Sequence, residues 1–131
     1  MITYEFENIP TSALDILEAI RPIRPGRTAL AVSQDRLSEK TFLRDLGLMT
    51  APFADVASKA DLAAALETIG APAILKTRRF GYDGKGQARI MALNDAASAY
   101  ADMAGAPSIL EGFVNFSHEV SVIGARALNG S

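Results

Sequence analysis

Ala73-Ile74-Leu75-Lys76-Thr77-Arg78-Arg79-Phe80-Gly81-Tyr82-Asp83-Gly84-Lys85-Gly86-Gln87-Ala88-Arg89-Ile90-Met91 reads as an apolar run, a basic glycine-rich turn and a second short run. The runs at 73–77 and 88–91 predict two strands joined by a loop. Three glycines in six positions let successive backbone N–H groups turn toward an anion, and the flanking cations add Coulomb attraction. Such a loop either covers nucleotide phosphates or is a hairpin with a solvated basic tip, and spacing leaves both open. Lys76 falls on the strand face opposite Leu75. It either enters a cleft as a point charge for phosphate or lies on the surface with a buried stem.

The two common phosphate motifs do not fit. Gly81 and Gly86 have the Walker A separation, but Gln87-Ala88 stands where Lys and Ser or Thr are required. Gly84-Lys85-Gly86 is followed by Arg89 where a dinucleotide fingerprint needs glycine, and no helix starts there. A hairpin closing over phosphates from above remains.

Working outward, Asn94 is expected to cap a helix through about Met103, closed by Gly105 and Pro107. Strands are expected at Ser108–Glu111 and Glu119–Ile123. Upstream, Ser58 and Asp61 open an alanine- and leucine-rich helix that stops at Gly70. A helix from about Asp35 to Leu46 would turn Leu37, Phe42, Leu43 and Leu46 inward, with Gly47 just past its end. A helical stretch covers Arg27 to Ser33. Ser12 with Asp15 suggests a capping box for a short helix with Leu14, Leu17 and Ile20 on one face. Ile2-Thr3-Tyr4-Glu5-Phe6 alternates like a strand and is stopped by Asn8-Ile9-Pro10. Both ends look cut: Met1 leads straight into a strand, and Leu128-Asn129-Gly130-Ser131 ends on a hairpin-turn signal.

The 131 residues are 49% hydrophobic and 21% charged, which favours a packed core over disorder. Five of the 13 basic residues lie between 76 and 89 with only Asp83 against them, on a chain of net charge −2. That points to a local anion site and away from general nucleic-acid binding. No apolar run approaches a bilayer span, and no signal-type N-terminus is present. Cysteine is absent, which excludes disulfides and thiolate metal sites and is compatible with a cytoplasmic location.

Four blocks occur in order: Tyr4-Glu5-Phe6-Glu7-Asn8-Ile9-Pro10; Gln34-Asp35-Arg36-Leu37 with Glu39-Lys40; Leu75 to Arg79 running into Gly81 to Gln87; and Glu111-Gly112-Phe113-Val114 followed by Phe116-Ser117 and Glu119-Val120-Ser121. Together they resemble the ATP-grasp ligases, and within them the 5-(carboxyamino)imidazole ribonucleotide synthases, from Met1 to Ser131. The resemblance implies an α+β ATP-grasp fragment: a small α/β subdomain with antiparallel strands and a glycine-rich hairpin loop, preceded by the end of a Rossmann-like domain. It divides the chain into residues 1–48, the end of the N-terminal domain with its linking helices, and 49–131, the ATP-grasp subdomain.

By the same resemblance Arg36 and Lys76 contact the ATP phosphates. Gly81, Tyr82, Asp83, Gly84, Lys85, Gly86 and Gln87 cover them, Glu111, Gly112, Phe113 and Val114 read adenine, and Glu119 accepts from the ribose hydroxyls. The implied reaction is an ATP-dependent carboxylation in purine biosynthesis by a cytoplasmic homodimer. ATP, bicarbonate and aminoimidazole ribonucleotide give 5-(carboxyamino)imidazole ribonucleotide, ADP and phosphate. Mg²⁺ would bridge the phosphates, with its acidic ligands C-terminal to Ser131 and none within this chain. No catalytic residue is singled out, and the piece alone is expected to be inactive and to bind ATP weakly or not at all. His118, the only histidine, reads as an exposed strand residue. Phe80 stands where relatives often have a smaller side chain. Competing readings are another ATP-grasp enzyme, of the formate-dependent glycinamide ribonucleotide transformylase or biotin carboxylase type, and a non-catalytic fragment whose basic loop is a packing surface.

Overall fold

A computed structural model describes residues 1–81, 84–125 and 127. Three short helices come first: α1 (Thr11–Glu18), α2 (Arg27–Ser33) and α3 (Arg36–Asp45). Strand β1 (Phe53–Val56), helix α4 (Lys59–Ile69), the hairpin β2 (Ala73–Thr77) and β3 (Gln87–Ile90), a 3₁₀ turn at Leu93–Asp95, α5 (Ala96–Asp102) and β4 (Ser108–Gly112) follow.

The four strands form one antiparallel sheet in the order β1-β4-β2-β3. Since β1 and β2 each run antiparallel to β4, they are parallel to one another, and α4 crosses the sheet to connect them. In the same way α5 connects β3 to β4. Register settles which face each side chain takes. Leu75 lies opposite both Leu110 and Ala88, and Ala54 lies opposite Leu110. This face packs under Leu62, Ala65 and Leu66 of α4 and Ala99 and Met103 of α5 to make the main core. Lys76, Ile109, Glu111, Ile74 and Arg89 belong to the other face. There α3 leans against the sheet, with the Arg44 guanidinium 5.6 Å from the centre of the Phe53 ring.

The caps explain the helix bounds. The Ser58 hydroxyl accepts from Asp61 N at 3.2 Å, and Gly70 ends α4 with φ +82. Asp35 accepts from Leu37 N and Ser38 N at the start of α3, and Gly47 follows its end with φ +78.

A smaller core gathers Leu14 of α1, Ile23 and Leu30 of α2, with Ile2, Tyr4, Ile9 and Leu17 against it. Here the expectations need correction. The strand expected at 2–6 reduces to one parallel bridge, Ile2 to Ile23, because no neighbouring strand continues the pairing. Helix α1 begins at Thr11 after Pro10, with no side-chain cap from Ser12, and Ile20 lies beyond its end and is exposed. In α3, Phe42 and Leu46 are exposed and not inward, since the helix presents Lys40 and Arg44 to the sheet. Asn94 does not cap α5. The Asp95 carboxylate takes Met91 N and Ala92 N, each at 2.9 Å, and winds the 3₁₀ turn first. The strand expected at 119–123 is absent: among the described residues nothing pairs with it, and Val120, Val122 and Ile123 are exposed. The sequence reading also missed β1, whose four residues show no clear alternation. The turn expected at 128–131 lies outside the described residues.

Candidate functional site

The β2–β3 hairpin closes where Thr77 N donates to Gly86 O at 2.7 Å. At Gly86 φ is +66, and a Cβ there would stand 2.5 Å from Thr77 Oγ1. Only glycine fits this approach without movement. At Gly81 an added Cβ would meet Lys85 O at 3.2 Å and Arg36 Nη2 at 3.5 Å, so the loop folds tightly over the end of the Arg36 side chain. Arg36 Nη2 reaches Gly81 O at 3.5 Å.

The start of α3 is tied to the hairpin twice. Arg36 N donates to Arg78 O at 2.9 Å, and the Arg78 guanidinium grips the Asp35 carboxylate through Nε and Nη2. Arg78 Nη1 also reaches Asp55 Oδ1 at 3.3 Å. Burial alone would push the Asp35 carboxyl up. The Arg78 hydrogen bond, the Ser38 and Leu37 N–H groups and the Arg78 charge together outweigh it and hold Asp35 below the ordinary carboxylate range. The same Asp35 hydrogen bond holds the Arg78 guanidinium above its usual value.

On the sheet face that α3 approaches, Lys76 Nζ meets Glu111 Oε2 at 2.9 Å across β2 and β4. They are diagonal neighbours on one face, since Lys76 is opposite Ile109 and Glu111 is two residues on. Lys40 Nζ of α3 approaches the same oxygen at 3.4 Å. Sequence reading did not assign Lys40 a role, because its pairing with Glu111 spans 71 positions and only the tertiary fold creates it. Glu111 Oε1 is buried and has no hydrogen-bond partner among the described residues.

At the hairpin itself, a cavity of about 300 Å³ is lined by Glu7, Asn8, Gln34, Arg36, Arg79 and Phe80 among others. Gln34, itself buried, donates to Glu7 O and Ile9 O and accepts from Arg79 Nη2 at 3.0 Å, linking the N-terminal segment to the loop. Phe80 adopts φ +62, which is uncommon for an aromatic residue. The Arg79 guanidinium lies 5.5 Å from the Phe80 ring centre.

The fold thus brings Arg36, Gly81 and Gly86 together at the loop, and pairs Lys76 with Glu111 on the sheet face that α3 approaches. Gly84, Lys85 and Gln87 sit exposed on the hairpin, while Tyr82 and Asp83 lie outside the described residues. At the end of β4, Gly112 N donates to Pro52 O at 2.8 Å and Phe113 N to Pro72 O at 3.1 Å, so both amides are already used. Phe113 and Val114 keep part of their side chains open to solvent. Glu119 is exposed in a segment without regular structure. Among the described residues no three of His, Asp or Glu gather as a metal site would require. No helix among them is long and apolar enough to cross a membrane.

The sequence pattern of the ATP-grasp domain matches residues 41–131. This chain belongs to the ATP-grasp family. The chain is 50% identical over 133 residues to the N5-carboxyaminoimidazole ribonucleotide synthase of Brucella melitensis, covering 100% of this chain and 37% of that protein. The enzyme of the same name from Pseudomonas aeruginosa is 45% identical over 130 residues, 99% of this chain and 36% of its own. The crystal structure of the ADP complex of an N5-carboxyaminoimidazole ribonucleotide synthetase superposes with a TM-score of 0.90 at 37% identity, covering 98% of this chain and 34% of that one. The chain therefore spans a little over a third of the curated relatives' length. The small antiparallel sheet with its helices is an ATP-grasp α+β arrangement.

Proposed function

We propose that this ATP-grasp chain supplies the phosphate-binding and base-binding part of a carbon–nitrogen ligase that makes 5-(carboxyamino)imidazole ribonucleotide. The whole reaction joins ATP, bicarbonate and aminoimidazole ribonucleotide to give that product, ADP and phosphate, in the cytoplasm and in a homodimeric enzyme. Support comes from the similarity to the two synthases and from the ADP-holding neighbour. The observation that carries the reading is Arg36 against the glycine hairpin, one turn of α3 from Lys40, which shares Glu111 with Lys76. Residues 1–48 would belong to the preceding, Rossmann-like domain and 49–131 to the ATP-grasp subdomain.

In this reading Arg36 and Lys76 neutralise phosphate charge while Gly81 to Gln87 cover it, which is mostly positioning and electrostatic work. With the amides of Gly112 and Phe113 engaged, base reading falls to carbonyl oxygens near Glu111 and to Val114, between the Phe113 and Val114 side chains. Glu119 would approach the ribose only if its segment docks beside β4. Mg²⁺ would supply charge neutralisation to the phosphates, and its acidic ligands would come from outside these residues.

Calorimetric titration of the 131-residue chain with ATP tests the site. Weak saturable heat that Lys76→Ala removes is expected, with no ATP-dependent phosphate release. No heat from the unaltered chain would favour the packing-surface reading.

A further inference from the structure

Glu111 stands where two elements meet. Its side chain is 8% exposed, and one oxygen receives both the Lys76 ammonium from β2 and the Lys40 ammonium from α3, at 2.9 and 3.4 Å. The lysine side chains are themselves only 20% and 19% exposed. One carboxylate against two ammonium groups leaves a surplus positive charge where water has little access, and such a charge is costly unless a partner arrives. The other oxygen, Oε1, is buried without a hydrogen-bond partner among the described residues, although an ionised carboxylate accepts at both oxygens. The surplus cation is matched by a ligand carrying an anion.

Helical spacing adds a second line. Arg36 and Lys40 are four residues apart on α3 and share a face. Arg36 points to the hairpin at Gly81, and Lys40 points to the sheet at Glu111. The same helix therefore lines the site at two levels.

We propose that Lys40 is a further phosphate-binding cation of the nucleotide site, held ready with Lys76 on Glu111 until a polyphosphate takes up its charge. This rests on the nucleotide-site reading above. The competing role for Lys40 is that of a counter-ion for Glu111 alone.

The test titrates the 131-residue chain with ATP and with inorganic tripolyphosphate by calorimetry, and records ligand-free melting for each variant. A charge-assisted contact of ordinary strength predicts that Lys40→Ala weakens both ligands about tenfold. Lys40→Arg should recover most of the loss by restoring the charge. If Lys40→Ala binds both ligands as the unaltered chain does, while Lys76→Ala loses them, the inference fails and the nucleotide site stands. If the Lys40→Ala loss of affinity disappears in a Glu111→Gln background, where no carboxylate needs a counter-ion, Lys40 acts only through Glu111 and the inference fails. If the unaltered chain gives no saturable heat with either ligand, the site and the inference fall together.

Discussion

Asp35 grips Arg78 with both carboxylate oxygens, at 3.1 Å each to Nε and 2.8 Å to Nη2, while one of those oxygens also caps α3. A single side chain therefore fixes the helix start and its attachment to the sheet. Asp35→Ala should lose about 1 kcal/mol of cap and about as much again for the abandoned Arg78. Urea denaturation should show a loss near 2 kcal/mol, and a value near zero would mean the latch is idle.

The same pair predicts a pH response. The Asp35 carboxyl is held below its ordinary value of 3.8 in the fold. A lowered folded value means its stabilisation is complete above 3.8 and is lost as pH falls below it. In Asp35→Asn that component of acid sensitivity should vanish. Denaturation curves for the two proteins should converge below pH 3.8 and separate above it.

Gly86→Ala combines a positive φ with a Cβ placed 2.5 Å from Thr77 Oγ1. The left-handed conformation alone costs about 1–2 kcal/mol, and Thr77 is β-branched and short, so it cannot swing far. Thermal melting should fall for Gly86→Ala. Adding Thr77→Ala should recover the steric part but not the backbone part, which a double-mutant cycle resolves.

Leu110 is fully buried in the middle of the sheet, whereas Val122 is exposed. Leu110→Ala should cost about 2–5 kcal/mol, and Val122→Ala should stay within about 0.5 kcal/mol. Equal losses would show that the 119–123 segment packs in solution after all.

Phe80 holds φ +62. Replacement by glycine removes a strain of about 1–2 kcal/mol but loses the Arg79 contact, about 0.5–1 kcal/mol, and adds backbone freedom to the unfolded chain, about 0.5–1 kcal/mol. Phe80→Gly should therefore leave the melting temperature nearly unchanged, while Phe80→Val should lower it, because a β-branched residue tolerates this region least.

Much of the fold was legible because its punctuation is local. Ser58, Gly70, Asp35 and Gly47 fix helix ends through hydrogen bonds within a few residues. Strand β2 was readable as an apolar run, and the glycine hairpin by composition. What could not be read depends on distant partners. Alternation at 2–6 and 119–123 looks like a strand, yet pairing needs a neighbour, which the first segment finds only at Ile23. Phe42 and Leu46 fit a helical stripe, but the sheet receives the basic side of α3. Lys40 and Glu111 meet only after both elements dock.

Strand β4 lies between β1 and β2 although it comes after both in the chain. During synthesis β2 and β3 can pair as soon as they emerge, but β1 must wait without a partner until residues 108–112 appear. Closure of the sheet is thus a late event with long sequence separation, of the kind that slows folding and leaves an edge open to other chains meanwhile. Asp55 within β1, and Ser58, Lys59 and Asp61 just after it, make the strand a poor template for unwanted pairing.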